Sequence, residues 1–134
     1  MTSVSNEGEV YFALFGRNLD PNVVTDLIGL QPTSTHRLAP PKDSSWELSS
    51  GKVEGELIDV YLMASDLVSR LLPHQDGIIR AKQQCGLQAV LQVVLRVSVD
   101  ESVSTPAIGF TSEVINFLSS VGASVDVDTY RNVP

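Results

Sequence analysis

The stretch LQAVLQVVLRVSVD, residues 87–100, alternates between apolar and mostly polar side chains. Every odd-numbered position is apolar, whereas the even-numbered positions include Gln88, Gln92 and Arg96. Successive side chains of a strand point to opposite faces, so this pattern predicts one face against a core and one face largely in water. It favours an antiparallel-type sheet with helices on one side over a parallel sheet covered on both sides.

Four segments have the apolar spacing of helices, at residues 20–29, 56–72, 76–84 and 111–122. Asp20 and Pro21 are typical of a helix start, and Gly29 of a helix end. The segment 56–72 carries the longest apolar stripe, and Pro73 is predicted to end it. Asp76 is a candidate N-cap of the third segment, and Thr111 or Ser112 of the fourth.

Further strands are predicted at residues 10–15, 35–38, 45–49 and 123–130, the middle two as an irregular hairpin. Strand, loop, helix and strand thus occur near the start and again from residue 87. We therefore expect an α+β two-layer sandwich, with a mainly antiparallel sheet and helices on one face. A duplicated βαβ unit of the ferredoxin-like type would suit this order. Residues 9–131 are expected to form a single domain, and residues 1–8 a flexible N-terminus.

The composition excludes several classes of function. The chain has 134 residues, 43% of them hydrophobic and 19% charged, which is typical of a globular domain. Its net charge of −7 argues against nucleic acid and against an anionic membrane surface, because both are bound by clustered cations. Cys85 is the single cysteine, so no intramolecular disulfide can form, and we expect a cytoplasmic protein.

No catalytic, cofactor-binding or metal-binding motif stands out, so we predict no catalytic residue, cofactor or metal site. His36 and His74 could share a metal only if the fold brought them together. Asp126 and Asp128 point the same way on a strand, which would allow a divalent cation. Charges on the wet face of an edge strand explain the same pair more simply.

The wet face of the sheet is the candidate interaction surface. Arg96 would form a cross-strand ion pair with Asp126 or Asp128 if the two strands were neighbours. Trp46 is open to two interpretations, a ring folded over the sheet with its N–H bonded, or an anchor in a binding surface. The complete candidate surface comprises Trp46, Gln88, Gln92, Arg96, Asp126, Asp128 and Tyr130.

Several segments together resemble the bacterial family called domain of unknown function 4279. They are FGRNLDP at 15–21, LIGLQPT at 27–33, SSWEL at 44–48, LSSVGA at 118–123 and VDVDTY at 125–130. The sequence Thr35-His36-Arg37 departs from the lysine, tryptophan or glycine common there in the family. The resemblance implies a small single-domain α+β protein and no particular reaction. Some relatives look like candidates for immunity or toxin-neutralising roles.

These observations lead to two hypotheses of function. The first is a non-enzymatic protein-binding module, such as an immunity-type inhibitor of a cationic toxin, because opposite charge speeds docking. Its partner would be another protein or a second copy of the chain, held on the polar sheet face. The alternative is a small-molecule-sensing domain that holds a ligand between subunits or at a loop such as residues 16–20.

Overall fold

The computed structural model describes residues 4–133. The helices are α1 (Pro21–Ile28), α2 (Val60–Leu71), α3 (Gln75–Cys85) and α4 (Ser112–Val121), with a 3-10 turn at Leu72–His74. The strands are β1 (Asn6–Gly16), β2 (Ser34–His36), β3 (Ser44–Ser49), β4 (Val53–Gly55), β5 (Gln88–Ser98) and β6 (Ala123–Asn132).

The strands form one sheet in the order β2-β3-β1-β5-β6, and β4 pairs with the start of β1. Only the β5–β6 pairing is parallel among the described strands, because α4 carries the chain back before β6 begins. The predicted α+β fold with a mainly antiparallel sheet is confirmed.

The helices cover one face of this sheet. On that face the Phe12 ring of β1 meets Phe117 of α4 edge to face, with 6.0 Å between ring centres. Trp46 of β3 donates from Nε1 to Thr25 Oγ1 of α1 at 3.1 Å. A Cβ on Gly8 of β1 would lie 3.9 Å from Met63 of α2. These contacts place the core between the helices and this face, as the alternation of residues 87–100 predicts.

Both expected βαβ units are present, but their topologies differ. In the first, β1 and β2 run parallel with β3 between them, since β3 is antiparallel to both. In the second, β5 and β6 are adjacent and pair directly. The two halves therefore share an order of elements and not one arrangement of strands.

The first strand begins earlier than predicted. Residues 6–8, assigned from sequence to the flexible N-terminus, pair with β4, and residues 7 and 8 also pair with β5. Residues 1–3 lie outside the described residues. Asn6 is fully buried, donates from Nδ2 to the Ser104 carbonyl at 2.7 Å and accepts from the Ser98 N–H at 2.8 Å. These bonds secure the start of β1, which a tally of polar residues does not reveal.

The second helix begins later than predicted. Asp59 caps it by accepting from the Leu62 N–H, and Leu57, expected in its apolar stripe, is 80% exposed. The segment before Val60 instead pairs with Ala107, whose N–H donates to the Ile58 carbonyl at 2.9 Å. The helical periodicity of residues 56–59 therefore predicts a helix that starts too early, because a main-chain bridge replaces the first turn.

The remaining helix ends largely follow the sequence. The Asp20 carboxylate accepts from the Asn22 N–H at 3.0 Å, and Thr111 caps α4. Pro73 does end α2, but the 3-10 turn leads straight into α3, so Asp76 lies in the first turn and not at the cap. Within residues 4–133, none of the helices is both long and apolar enough to cross a bilayer.

Candidate interaction surface

The face of the sheet opposite the helices is built from aligned rows of side chains. One row contains Ser49, Tyr11, Gln92 and Asp126, which are opposite one another in register across β3, β1, β5 and β6. A second row joins Glu9, Val94 and Asp128, and a third joins Glu7, Arg96 and Tyr130. We call this surface the open face.

Carboxylates dominate the open face. Among the strand residues of the open face within 4–133, Arg96 is the only lysine or arginine. Lys52 and His36 lie at the margins of this face. The carboxylates are Glu7, Glu9, Glu47, Glu54, Asp126 and Asp128. Six acids against one arginine give this side of the protein a negative potential that attracts positively charged surfaces.

Tyr11 lies at the centre of this group. Partial burial raises the pKa of its phenol, and Glu47, Glu9, Asp128 and Asp126 raise the pKa further, in that order. Burial and negative neighbours both disfavour a phenolate, so the two causes act in the same direction. Carboxylates from β1, β3 and β6 thus all act on a single side chain.

Hydroxyl groups hold two of these acids in place. Ser49 donates from Oγ to Glu9 Oε2 at 2.6 Å. Glu47 accepts from the hydroxyls of Ser34 at 3.2 Å and Ser45 at 3.1 Å. Neutral donors leave the negative charge uncompensated, so the carboxylates are oriented and remain available to a cation.

Gln92 fixes one of the predicted aspartates. This residue is buried, and its Nε2 donates to Asp128 Oδ2 at 3.2 Å and to the Asp126 carbonyl at 3.4 Å. Asp128 is half-buried, whereas the Asp126 side chain is exposed. The open face therefore presents one constrained and one solvent-facing aspartate, side by side on β6.

Arg96 has partners other than those expected. Its guanidinium carbon lies 5.2 Å from the centre of the Tyr130 ring, and its Nε lies 3.9 Å from Glu7 Oε2. In the parallel register, Arg96 lies opposite Tyr130, whereas Asp126 and Asp128 lie opposite Gln92 and Val94. The ion pair predicted with either aspartate is therefore wrong, although the strands are neighbours as required.

A cavity of about 180 Å³ opens at the same end of the face. Its lining includes Glu7, Glu9 and Glu54 together with the cations Lys52 and Arg96. Charges of both signs around one small cavity are suited to a small zwitterionic ligand, because each end finds an opposite charge.

Trp46 does not belong to this surface. Its ring is fully buried on the helix side of the sheet, where the indole N–H is bonded to Thr25. The interpretation as a binding anchor is wrong, and the ring folded over the sheet is correct. The remaining predicted residues, Gln88, Gln92, Arg96, Asp126, Asp128 and Tyr130, do share the open face.

The two histidines are not brought together. His36 lies on β2, with Nε2 3.8 Å from Glu47 Oε2 on the open face. His74 follows α2, and its Nδ1 lies 2.9 Å from the Ile28 carbonyl of α1. Within residues 4–133, no group of three or more His, Cys, Asp or Glu side chains is arranged to hold a metal ion.

Sequence reasoning missed Tyr11 and its acidic neighbours. The stretch 10–15 is apolar or aromatic throughout, which obscures the alternation that begins upstream. Glu7, Glu9 and Tyr11 occupy alternate positions against Gly8, Val10 and Phe12. Extending the strand three or four residues towards the N-terminus would have revealed this period-two pattern.

The comparison with known families agrees with the resemblance carried by the sequence motifs. The family described as Domain of unknown function (DUF4279) matches residues 6–132. The chain belongs to this family. No curated protein and no solved structure matches the chain. The residues that match DUF4279 include all of the helix layer and every strand of the open face.

Proposed function

We propose that this DUF4279 protein is a non-enzymatic binding module whose open face docks a positively charged protein. The observation that carries the proposal is the convergence of carboxylates from β1, β3 and β6 around Tyr11. Such a surface increases the association rate of a cationic partner and disfavours an anionic one. An immunity-type inhibitor of a cationic toxin would be one such module.

Features of the open face beyond its charge support this role. Tyr11 and Tyr130 offer aromatic contact area among the acids, and tyrosine is enriched in binding hot spots. The half-buried Val94 adds apolar surface in the row between the two tyrosines, and the half-buried Val90 adds it in the row beyond Tyr11. We propose a cytoplasmic location, because the single cysteine leaves the fold without a disulfide staple.

Affinity capture from a lysate of the source cells, at low and high salt, tests the proposal. The double variant Glu9→Gln/Asp126→Asn removes two charges from the open face with little change of shape. The matched control Asp26→Asn/Asp66→Asn removes two charges from exposed positions on α1 and α2. We expect a basic partner to be retained by the native protein and the control and lost by the open-face variant.

Salt provides the second criterion. Raising the salt concentration from about 50 mM to about 500 mM shortens the range of electrostatic attraction severalfold, so the captured partner should be released. Capture of the same partner by both double variants, or capture unaffected by salt, would show that the acidic face is not the docking surface.

The cavity beside Arg96 favours a second candidate function, the sensing of a small molecule. Lys52 and Arg96 would meet the anionic end of a zwitterion, and Glu9 or Glu54 its cationic end. A thermal-shift screen of amino acids and nucleotides tests this idea, with Lys52→Met as the site variant and Lys42→Met as the control. A flat response across the screen would remove this candidate.

A further inference from the structure

The outer edge of β6 is a second notable feature of the open-face side. This strand pairs with β5 along its whole length, from Ala89–Ala123 to Ser98–Asn132. On its other side, no strand among residues 4–133 pairs with it. The outward N–H and C=O groups of such an edge can hydrogen-bond a further strand, over roughly 30 Å at about 3.3 Å per residue.

The opposite edge of the sheet differs in ways that discourage pairing. Strand β2 has only three residues and is flanked by Pro32 on one side and Pro40-Pro41 on the other. Proline lacks the N–H that a new strand would need, and a short edge offers few bonds. Strand β6 contains no proline, and its register with β5 has no break. The molecule therefore protects one edge and leaves the other long and regular.

The side chains of β6 would select what binds to this edge. Asp126 and Asp128 belong to the open face, whereas Val125 and Val127 are on the helix side, 41% and 37% exposed. Opposite charges and apolar pairs stabilise directly facing positions of neighbouring strands. A complementary strand would alternate basic residues, facing the aspartates, with apolar residues, facing the valines.

In the antiparallel register centred on Val127, a second copy of the chain fits this edge poorly. Antiparallel pairing of two β6 strands about Val127 would place Asp126 of each copy opposite Asp128 of the other. Like charges directly opposite each other destabilise a strand pair. The same aspartates that would attract a basic strand therefore oppose self-association, which is specificity achieved through repulsion.

We propose, as an extension of the acidic docking function proposed above, that β6 binds its partner by strand addition. The partner contributes an extended segment in which Lys or Arg alternates with Val, Ile or Leu. Main-chain hydrogen bonds to β6 supply affinity, and the alternating side chains supply specificity. The open face then holds the remainder of the cationic partner.

Two synthetic peptides separate strand addition from general charge attraction. One peptide alternates four lysines with four valines, and the other has the same residues as a lysine block followed by a valine block. We expect the alternating peptide to bind at least about tenfold more tightly, because only it satisfies both faces of β6 at once. Methylating alternate backbone nitrogens of that peptide should abolish the difference.

Amide hydrogen exchange measured by NMR locates the binding. The alternating peptide should slow exchange of β6 amides whose N–H groups point away from β5, and the block peptide should not. Val127→Lys should weaken binding of the alternating peptide by about tenfold, because it removes the apolar contact between Val127 and the valines of the peptide. The control Val23→Lys makes the same change at an exposed site of α1.

The outcomes distinguish the two proposals. Equal binding of both peptides, weakened by Glu9→Gln/Asp126→Asn without new protection in β6, would overturn strand addition and leave acidic docking standing. Absence of binding by either peptide would also overturn strand addition. A dimer that protects the same amides without peptide would assign the edge to a second copy and overturn it as well.

Discussion

The guanidinium carbon of Arg96 lies 5.2 Å from the centre of the Tyr130 ring, across the parallel pairing of β5 and β6. The same guanidinium reaches Glu7 Oε2 at 3.9 Å on the other neighbouring strand. Arg96 therefore connects three strands at one end of the open face.

Removing this contact should have a small, measurable cost. A double-mutant cycle with Arg96→Gln and Tyr130→Leu should give a coupling energy of about 0.5–1 kcal/mol, because the pair is exposed to water. Urea unfolding followed by circular dichroism gives the required free energies. The control cycle of Arg96→Gln with Glu7→Gln should give about 0–1 kcal/mol, decreasing with salt, since that ion pair is long and exposed. A coupling of zero for Arg96 and Tyr130 would contradict the cation–π assignment.

Tyr11 predicts a loss of stability at alkaline pH. Burial and the neighbouring carboxylates raise its pKa in the folded protein above the ordinary value of 10.0. Ionisation is thus easier in the unfolded chain, so the stabilisation is complete below about pH 10 and is lost as pH rises through the folded pKa. The unfolding free energy of the native protein should fall relative to that of Tyr11→Phe above about pH 10.

A spectrophotometric titration of the phenols provides the independent check. Asp126→Asn and Glu47→Gln should each lower the pKa of Tyr11, with the larger change for Glu47, while Asp66→Asn on α2 should leave it unchanged. Identical titration curves for all three variants would show that the carboxylates do not act on Tyr11.

The hydrogen bond of Trp46 can be tested without removing the ring. Thr25→Val leaves the buried indole N–H without a partner, which should cost about 1–3 kcal/mol of stability. Thr25→Ser retains a hydroxyl and should cost clearly less. Chemical unfolding monitored by Trp46 fluorescence measures both variants. A negligible loss of stability for Thr25→Val would show that this hydrogen bond does not stabilise the fold.

Gly77 of α3 lies directly against the backbone of α1. A Cβ at this position would lie 2.5 Å from the Leu27 carbonyl oxygen and 2.9 Å from the Ile28 Cα of α1. Gly77→Ala should therefore destabilise the protein by about 1–3 kcal/mol, since α1 and α3 must separate. In contrast, a Cβ on Gly55 of β4 meets nothing closer than 3.9 Å. Gly77→Ala should lower the midpoint of thermal unfolding, whereas Gly55→Ala should leave it unchanged.

Period-two and helical patterns predicted a strand or helix correctly where a single physical effect determines its local structure. The alternation of residues 87–100 correctly indicates β5, its buried side and its wet side, because the hydrophobic effect acts on every second residue. Asp20, Pro21 and Gly29 correctly bound α1, because their side-chain and backbone preferences are local. Gln92, Asp126 and Asp128 were placed together for the same reason, as members of one polar face.

Local patterns misled where distant contacts decided the outcome. Residues 56–59 have helical spacing, yet pairing with Ala107 holds Ile58 and Asp59 in an extended bridge. Polar residues 6–8 resemble a free end, yet Asn6 is buried by bonds to residues over 90 positions away. The sequence did not indicate that Tyr11 lies on the polar face, because the predicted strand 10–15 leaves out residues 6–9 of β1.

The sequence alone established which residues alternate, the ends of α1 and α4, and a net charge of −7. These properties follow from local backbone preference and from the separation of apolar and polar side chains. The tertiary structure was needed to show that β5 and β6 are parallel neighbours and that Trp46 faces the helices. It also brings six carboxylates to one face, four of which act on Tyr11. Strand order and register depend on long-range main-chain pairing and close packing, which a linear pattern does not encode residue by residue.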